Sequence, residues 1–227
     1  MPRNNPAPNV LIPARGGSKG IRRKNLQEVC GKPLVVRSIQ AAQNSRLSGN
    51  IYVSTDDEEI AIVAKENDAY VIDRPPELAT DTTSSELVIN HFLESCSISD
   101  GKLILVQPTT PFLLGSDIDQ VVESLNSYDS SLTVFESHVF LWRQENLGEA
   151  HGINHNHLVR LRRQDVEHSE YIENGAAFGM DVEGFRLYRH RFFGRIGLIV
   201  MPQIRSVEID TPEDLVIANA VGQVIEH

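Results

Sequence analysis

Cysteine is scarce in this sequence, and long apolar runs are missing from it. The 227 residues include two cysteines, Cys30 and Cys96, which form no CxxC pair and provide no disulfide framework. No apolar run approaches the length that spans a bilayer, and the N-terminal stretch MPRNNPAPNV contains no apolar core of a signal peptide. We therefore expect a chain that works in a reducing, cytoplasmic setting, without a membrane partner.

Positive charge is also in short supply. Lysine and arginine together number 21 against 31 aspartates and glutamates, which gives a net charge of −10 at pH 7. Binding to nucleic acid or to an acidic membrane surface needs a broad basic face, so this balance argues against both. The cations that are present cluster in residues 15–24 and 160–163. Clustered cations on an acidic protein favour a small anionic ligand.

Apolar runs of strand length alternate with segments of helical period along most of the chain. Strands are predicted at residues 10–14, 51–55, 70–72, 103–107, 132–135, 176–180 and 198–201, and helices at 34–44, 58–66, 85–93, 117–125 and 212–221. This alternation predicts an α/β fold with a Rossmann-like, mostly parallel sheet and helices on both faces. Ligands of such sheets bind at the carboxyl ends of the strands, where Arg15, Thr55 and Gln107 would lie.

The length suits a single domain, residues 1–227, with one interruption. From His138 to Arg163 the sequence becomes polar and rich in histidine and arginine, and the regular alternation stops. We interpret residues 138–175 as an arm that leaves the sheet and carries apolar residues such as Phe140 and Trp142. Apolar residues on a projecting segment need a covering surface, and a second copy of the chain would supply one.

The stretch LIPARGGSKGIRRKN, residues 11–25, joins the end of the first predicted strand to a glycine-rich turn surrounded by cations. It fits neither the Walker A pattern nor GxGxxG. The backbone amides of such a turn, together with Arg15, Lys19 and Lys24, are the groups that a triphosphate requires. The alternative is a surface turn with solvated charges, but the position at a strand end and the density of donors favour phosphate binding.

Further short motifs follow along the chain. They are Lys32-Pro33-Leu34, Ser54-Thr55-Asp56, Arg74-Pro75, Asp81-Thr82-Thr83-Ser84-Ser85, the run from Leu105 to Pro111, Arg163-Gln164-Asp165, Asn174-Gly175-Ala176 and Val207-Glu208-Ile209-Asp210. In this order, and together with the glycine-rich stretch, they make the chain resemble the CMP-sialic acid synthetases, the acylneuraminate cytidylyltransferases. The resemblance covers essentially the whole chain. It implies that CMP moves from CTP to the anomeric hydroxyl of a nonulosonic acid, N-acetylneuraminate first, and that pyrophosphate leaves.

The resemblance also implies roles for individual residues. Arg15, Lys24 and Asp210 would be catalytic. The nucleotide would bind to Arg15, Gly16, Gly17, Ser18, Lys19, Lys24, Asn25, Arg74 and Ser84, and the sugar acid to Gln107, Arg163, Gln164, Asn174 and Phe178. Relatives dimerise through an arm that reaches the neighbouring active site, so the resemblance implies a homodimer in which Arg163 acts on the partner's bound ligand.

Glu208 and Asp210 stand two residues apart in SVEIDTPED. On a strand both carboxylates would point to one face and could share a hard cation, and the resemblance implies Mg²⁺. The alternative gives Asp210 a share in capping the last helix and leaves Glu208 in solvent. Relatives usually have two aspartates here, so Asp210 matches the family pattern and Glu208 departs from it.

Departures from the family pattern lie on the sugar side, as at Phe178, where many relatives have tyrosine. Within the same chemistry, the alternative substrate is another ulosonic acid, such as a legionaminic, pseudaminic or deaminated sialic acid. The alternative of another class is a non-catalytic nucleotide-binding protein. Gln107, Arg163 and Asp210 would be unnecessary for nucleotide binding alone, which favours an enzyme.

Overall fold

The structure is a computed structural model that describes residues 7–146, 148–159, 161–165 and 168–226. Its strands are β1 Asn9–Pro13, β2 Glu28–Val29, β3 Lys32–Pro33, β4 Ile51–Thr55, β5 Tyr70–Asp73, β6 Lys102–Val106, β7 Ser130–Ser137, β8 Trp142–Arg143, β9 His151–Gly152, β10 Glu170–Asp181 and β11 Ile196–Val200. Its helices are α1 Leu34–Gln43, α2 Glu58–Glu66, α3 Ser85–Ser95, α4 Gly115–Ser124, α5 Val182–Tyr188 and α6 Pro212–Ile225. The predicted alternation of strands and helices is confirmed, and α5 is an element that the sequence pattern did not indicate.

A seven-stranded sheet with the order β11-β7-β10-β6-β1-β4-β5 forms the centre of the molecule. Strand β10 runs antiparallel to β6 and β7, and the other neighbouring pairs are parallel, which confirms the mostly parallel sheet. From β1 the chain moves outward through β4 to β5 and then returns to β6 on the other side of β1. Such a reversal leaves a crevice at the carboxyl ends of the two central strands, where ligands of this kind of sheet bind.

Both faces of the sheet are covered, as predicted. In β1, Val10 and Ile12 face one layer and Leu11 faces the other, and all three side chains are fully buried because successive strand residues point to opposite faces. Apolar residues of α1, α2 and α4 pack on the first face, and those of α3 and α5 on the second. Burying each large aliphatic side chain stabilises the fold by roughly 1.5–3 kcal/mol, so the sheet is a rigid support for the loops at its edge.

Helix α6 packs over the hairpin of β2 and β3 in a third apolar cluster that includes Ile209 and Phe112. Its start is fixed by reciprocal hydrogen bonds: Thr211 Oγ1 accepts from the backbone N–H of Asp214, and the Asp214 carboxylate accepts from the backbone N–H of Thr211 at 2.8 Å. With Pro212 in the first turn, this confirms the predicted start of the last helix.

The predicted arm begins after β7 and contains β8 and β9, which pair with each other in a separate two-stranded sheet. Strand β10 begins at Glu170 and pairs with β7. The last residues of the predicted arm, 170–175, belong to β10, so the part outside the main sheet ends before Glu170. Within the part of the chain that the structure describes, no helix is both long enough and apolar enough to cross a membrane.

Candidate active site

An open cleft of about 210 Å³ lies where β1, β5 and β6 end. Among the predicted site residues it is lined by Arg15, Gly17, Ser18, Lys24, Asn25, Arg74 and Gln107. A larger cavity of about 650 Å³, near Arg37 and Glu226, contains none of them. The smaller cleft is the candidate active site because it collects cationic and amide side chains from separate segments at the edge where this fold binds ligands.

Two glycines of the glycine-rich loop have different surroundings. The backbone N–H of Gly16 donates to the Asp56 carboxylate at 2.9 Å, and a Cβ on Gly16 would lie 2.7 Å from Asp57 Oδ2. A Cβ on Gly17 would meet nothing within 4 Å. The amide of Gly16 therefore anchors the loop. Its predicted contact with the nucleotide stays a prediction, whereas Gly17 and Ser18 line the cleft.

The other end of the loop rests on the segment that carries the acidic pair. A Cβ on Gly20 would lie 2.2 Å from the carbonyl oxygen of Asp210, so only glycine permits this approach. Lys24 Nζ donates to the carbonyl oxygen of Ile209 at 3.1 Å and lies 2.9 Å from Asp210 Oδ1. The Lys24 side chain is only 16% exposed, and these two contacts fix its ammonium group at the cleft.

The side chain of Asn25 stabilises the glycine-rich loop. This side chain is buried, and its Nδ2 donates to the carbonyl oxygen of Arg15 at 2.9 Å. Asn25 also lines the cleft, so its side-chain amide both holds the loop and can be reached from the cleft. The prediction that Asn25 contacts the nucleotide is compatible with this placement, since the side-chain oxygen remains available as an acceptor.

Arg74 follows β5 and is buried beside the end of β4. Its guanidinium donates to Ser54 Oγ at 3.1 Å and to the Ser54 carbonyl oxygen at 2.5 Å. Burial lowers the pKa of Arg74 to about 10, and repulsion from Arg15 acts in the same direction, while Asp56 acts against it. The group therefore remains charged at neutral pH. A fixed, partly dehydrated cation at the wall of the cleft interacts strongly with a polar or anionic ligand.

The side chains of Gln107 and Glu208 both lie close to Gly175. A Cβ on Gly175 would lie 3.0 Å from Glu208 Oε1 and 3.4 Å from Gln107 Oε1, and the φ of +67° also favours glycine there. The backbone N–H of Gln107 donates to the Ala176 carbonyl oxygen at 3.0 Å, and that of Ile209 donates to Thr109 at 2.9 Å. These bonds hold the end of β6 next to the acidic segment.

Glu208 and Asp210 are both exposed, and Ile209 between them is fully buried. Their segment lies outside the strands, so the assumption that they stand on a strand was wrong, although the alternation of exposed and buried residues is the expected one. The Asp210 carboxylate pairs with Lys24, and α6 is capped by Thr211 and Asp214. Asp210 does share in the cap through its backbone N–H, which donates to the Asp214 carboxylate at 3.0 Å, while its side chain pairs with Lys24.

The Glu208 carboxyl has a raised pKa. Although the residue keeps an exposed surface, partial loss of solvent around the carboxyl is the main cause, followed by repulsion from Asp210, and Lys24 acts in the opposite direction. Carboxylate oxygens are suitable ligands for a hard cation such as Mg²⁺. The described residues contain no group of three or more histidine, cysteine, aspartate or glutamate side chains arranged to hold a metal ion. A cation bound to Glu208 and Asp210 would thus depend on additional oxygens from a ligand.

Several predicted site residues lie away from the cleft. Ser84 accepts a hydrogen bond from the backbone N–H of Leu87 and caps α3, whereas the next residue, Ser85, lines the cleft. The buried Asn174 side chain donates to Ser206 Oγ at 2.9 Å and accepts from the backbone N–H of Ala176, so it holds two segments together. These contacts give Ser84 and Asn174 structural roles, and their predicted contacts with a ligand stay predictions.

Phe178 is 1% exposed and belongs to the apolar cluster on the face of the sheet that α3 and α5 cover, and its predicted contact with the sugar acid stays a prediction. Arg191 covers its ring at 4.9 Å. Gln164 is exposed on a short 3₁₀ turn, Arg163–Asp165, and does not line the cleft. The side chain of Arg163 lies outside the described residues, so its predicted contact with a sugar acid stays a prediction.

Sequence reasoning missed three supporting residues. Ser54 binds the Arg74 guanidinium, Asp56 anchors Gly16, and Asp81 pairs with two cations of the loop. All three belong to two short motifs of the sequence, Ser54-Thr55-Asp56 and Asp81-Thr82-Thr83-Ser84-Ser85. The signal was therefore present, but the contacts that give these residues a role arise only in the fold.

Comparison with known proteins shows the family of the chain. Residues 9–216 match a family model described as cytidylyltransferase. The chain belongs to the cytidylyltransferase family. It is 37% identical over 175 residues to N-acylneuraminate cytidylyltransferase A of Danio rerio, and this alignment covers 75% of this chain and 40% of that protein. It is 32% identical to an N-acylneuraminate cytidylyltransferase of Escherichia coli O18:K1:H7, over 94% of this chain and 52% of the relative. The chain thus spans about half the length of the curated relatives it matches.

Solved structures show the same fold at low sequence identity. A CMP:2-keto-3-deoxy-manno-octonic acid synthetase complexed with CTP has a TM-score of 0.68 at 14% identity, over 96% of this chain and 99% of the other. A 4-diphosphocytidyl-2C-methyl-D-erythritol synthase has a TM-score of 0.70 at 13% identity, over 95% and 98%. These similarities show that the chain shares the α/β fold of the two proteins.

Proposed function

We propose that this protein transfers CMP from CTP to the anomeric hydroxyl of a nonulosonic acid, N-acetylneuraminate first, and releases pyrophosphate. The observation that carries the proposal is the cleft in which Arg15, Ser18 and Lys24 stand beside Gln107. Cations and hydroxyl donors on one side suit a triphosphate, and an amide at the adjacent strand end suits a sugar acid. Membership of the cytidylyltransferase family supports the same chemistry.

In the proposed reaction the anomeric oxygen attacks the α-phosphorus of CTP. The bond from that phosphorus to the bridging oxygen of the β-phosphate breaks, the hydroxyl loses its proton, and pyrophosphate leaves. Negative charge grows on the leaving group, where Arg15 and Lys24 would stabilise it. Asn25 and Arg74 would hold the ribose or the cytosine, and Gln107 would hydrogen-bond the acyl sugar and orient it for in-line attack.

We further propose that Mg²⁺ binds to the acidic segment that contacts Lys24 next to the cleft. Glu208 and Asp210 would hold it, and when bound it would neutralise phosphate charge during the transfer. The proposal is supported by the donor chemistry of these two carboxylates and by their exposure on one side of the segment. Lys24 contacts Asp210, so the two residues together would adjust the charge at the leaving group.

The experiment that tests this function is an assay of pyrophosphate release. Purified protein with Mg²⁺ is supplied with CTP, UTP, ATP or GTP and with N-acetylneuraminate, legionaminate, pseudaminate or a deaminated sialic acid. We expect release only with CTP, fastest with N-acetylneuraminate, and none in an Arg15→Ala protein purified in the same way. Preference for another ulosonic acid would select the alternative substrate. Tight CTP binding without release for any acid would favour the non-catalytic alternative.

We also propose a homodimer in a cytoplasmic setting. The arm exposes large apolar side chains at Val139, Leu141, Trp142 and Leu158, and Leu158 is 82% exposed. A second copy would cover them, as argued from the sequence. Light scattering should give twice the mass of the chain, and Leu158→Ser should weaken the association more than Ile62→Ser, which changes an exposed apolar residue on α2. A monomeric parent protein would contradict the dimer.

A further inference from the structure

Asp81 bridges two cations of the glycine-rich loop. Its Oδ1 lies 2.8 Å from an Arg15 guanidinium nitrogen, and its Oδ2 lies 3.1 Å from Lys19 Nζ. Hydrogen bonds from these cations lower the pKa of the Asp81 carboxyl, Lys19 being the larger contributor, so the carboxylate is ionised at neutral pH. Each oxygen of the Asp81 carboxylate thus forms an ion pair with one of the two cations that are expected to bind phosphate.

The carboxylate stands on a loop that faces the glycine-rich loop. A space of about 370 Å³ between the two is lined by Arg15, Gly17, Ser18, Lys19 and residues 79–81. Arg15 also donates to the carbonyl oxygen of Ala79 at 3.4 Å. A phosphate that enters this space would therefore find both cations already paired with the Asp81 carboxylate.

We propose that Asp81 is an internal competitor of phosphate, whose carboxylate holds Arg15 and Lys19 and thereby limits the affinity of the site for the nucleotide and for pyrophosphate. The inference rests on the proposed function, because it needs a phosphate ligand in this cleft. During turnover the nucleotide displaces the carboxylate from the two cations, and the carboxylate returns as pyrophosphate leaves. The Asp81 carboxylate thereby speeds the release of pyrophosphate and weakens the binding of the nucleotide before the reaction.

The sign of the effect follows from charge. A phosphate that takes both cations breaks two ion pairs, and it also approaches a fixed negative charge. Removing that charge while keeping the shape of the side chain should therefore tighten phosphate binding. The opposite expectation, that Asp81 orients the cations for phosphate, predicts weaker binding after the same change. The 80% exposure of the Lys19 side chain argues against strict orientation, because an exposed ion pair holds a long side chain weakly.

The test compares Asp81→Asn with the parent protein in calorimetric titrations with pyrophosphate, tripolyphosphate and CTP, with EDTA present to exclude divalent cations. We expect the Kd for each to fall by about three- to tenfold in Asp81→Asn, as for the loss of one or two partly exposed ion pairs. Glu77→Gln is the matched control, since it removes a carboxylate from the same region that makes no ion pair within the described residues. Its effect should stay below about twofold, the scale of a screened surface charge.

Raising the ionic strength should reduce the difference between Asp81→Asn and the parent, because partly exposed charges are screened. Asp81→Ser provides a second neutral variant if the asparagine protein folds poorly, and circular dichroism checks both. Unchanged or weaker polyphosphate binding in an enzyme that releases pyrophosphate would overturn the inference and leave the proposed function intact. Tighter polyphosphate binding without any transferase activity would support the inference while refuting the proposed function.

Discussion

The ammonium group of Lys24 lies 2.9 Å from a carboxylate oxygen of Asp210, although 186 positions separate the two residues in the sequence. The contact joins the glycine-rich loop after β1 to the segment before α6. Gly20 strengthens the junction, because the loop backbone rests on the Asp210 carbonyl oxygen. The groups assigned to phosphate and the groups assigned to a metal ion therefore form one surface, and a change on either side should affect the other.

Arg15→Ala and Lys24→Met should each lower kcat by about 10²–10³-fold, the usual cost of removing a charge that stabilises a developing anion. The fold should persist, because neither side chain belongs to an apolar cluster. Steady-state kinetics of pyrophosphate release measures the loss, and thermal unfolding checks the fold. Lys65→Met, an exposed lysine on α2, is the control and should behave like the parent. Near-native turnover in Arg15→Ala or Lys24→Met would remove that residue from the mechanism.

Gly20→Ala and Gly17→Ala form a matched pair within one loop. The new methyl group at position 20 would lie 2.2 Å from a backbone oxygen, whereas the one at position 17 would meet nothing within 4 Å. We expect Gly20→Ala to destabilise the protein by roughly 1–3 kcal/mol, as overpacking does. Because the loop must move away from Asp210, its activity should fall more steeply than its stability.

Chemical denaturation and pyrophosphate-release kinetics of both glycine variants provide the comparison. Gly17→Ala should keep the stability of the parent within about 0.5 kcal/mol, as surface changes usually do. Equal stability and equal activity of the two variants would mean that the loop does not contact Asp210 in solution.

The sequence predicted most of the fold because its strands are strongly apolar and regularly spaced. Residues 51–55 and 58–66 are predicted with the bounds that the structure gives. Helix α5 was missed because it is short and follows β10 directly at Asp181. In the site, Arg15, Lys24 and Gln107 were found because charged and amide residues at strand ends are unusual. The role of Asp81 was not predicted, since it depends on a loop that the fold brings into contact with Arg15.

Three predicted site residues lie outside the lining of the cleft for a common physical reason. Ser84, Asn174 and Phe178 occupy positions in family motifs, but a motif does not indicate which way a side chain points. Phe178 lies on β10, where alternate residues point to opposite faces, and it faces the apolar layer of α3 and α5. Asn174 precedes the positive φ of Gly175, at a shift in strand register, and turns inward to bind Ser206.

Asp210→Asn should raise the Mg²⁺ concentration needed for half-maximal activity by roughly tenfold or more, the scale seen when a group that supports a metal site is lost. Glu208→Gln should raise it less, because partial loss of solvent and repulsion from Asp210 raise the pKa of Glu208 and so disfavour its charged form. Titration of activity with Mg²⁺ at fixed CTP measures both. Small and equal shifts would place the cation on the triphosphate alone.

Glu208→Gln should also change the pH dependence of stability. The pKa of Glu208 is raised in the folded protein, mainly by partial loss of solvent and by Asp210, so its ionised form costs stability. That cost is present above the raised pKa and disappears as the pH falls through it toward the ordinary glutamate value. Glu208→Gln should therefore unfold at a higher temperature than the parent near pH 8, and the two should converge near pH 4. A constant difference across this range would contradict the assigned shift.

The final prediction concerns Arg163, which the resemblance assigns to the neighbouring subunit's ligand. If the site is shared, Arg15→Ala and Arg163→Ala homodimers should each be nearly inactive. After subunit exchange, a heterodimer of the two carries one site with both arginines intact and one with neither. Random exchange of equal amounts makes about half of the dimers mixed, so about a quarter of the parent activity should return.

Exchange itself must be demonstrated, for example by affinity tags of two kinds on the two variants and recovery of doubly tagged dimers. Mixing Arg15→Ala with Lys24→Met is the matched control. Both of these changes lie in the same cleft of one chain, so no exchanged dimer contains an intact site and activity should stay low. Recovery in this control would point to an artefact of mixing. No recovery for Arg15→Ala with Arg163→Ala after proven exchange would mean that Arg163 acts within its own subunit, or that it does not act on the ligand. In either case the arm would hold subunits together without completing the site across the interface.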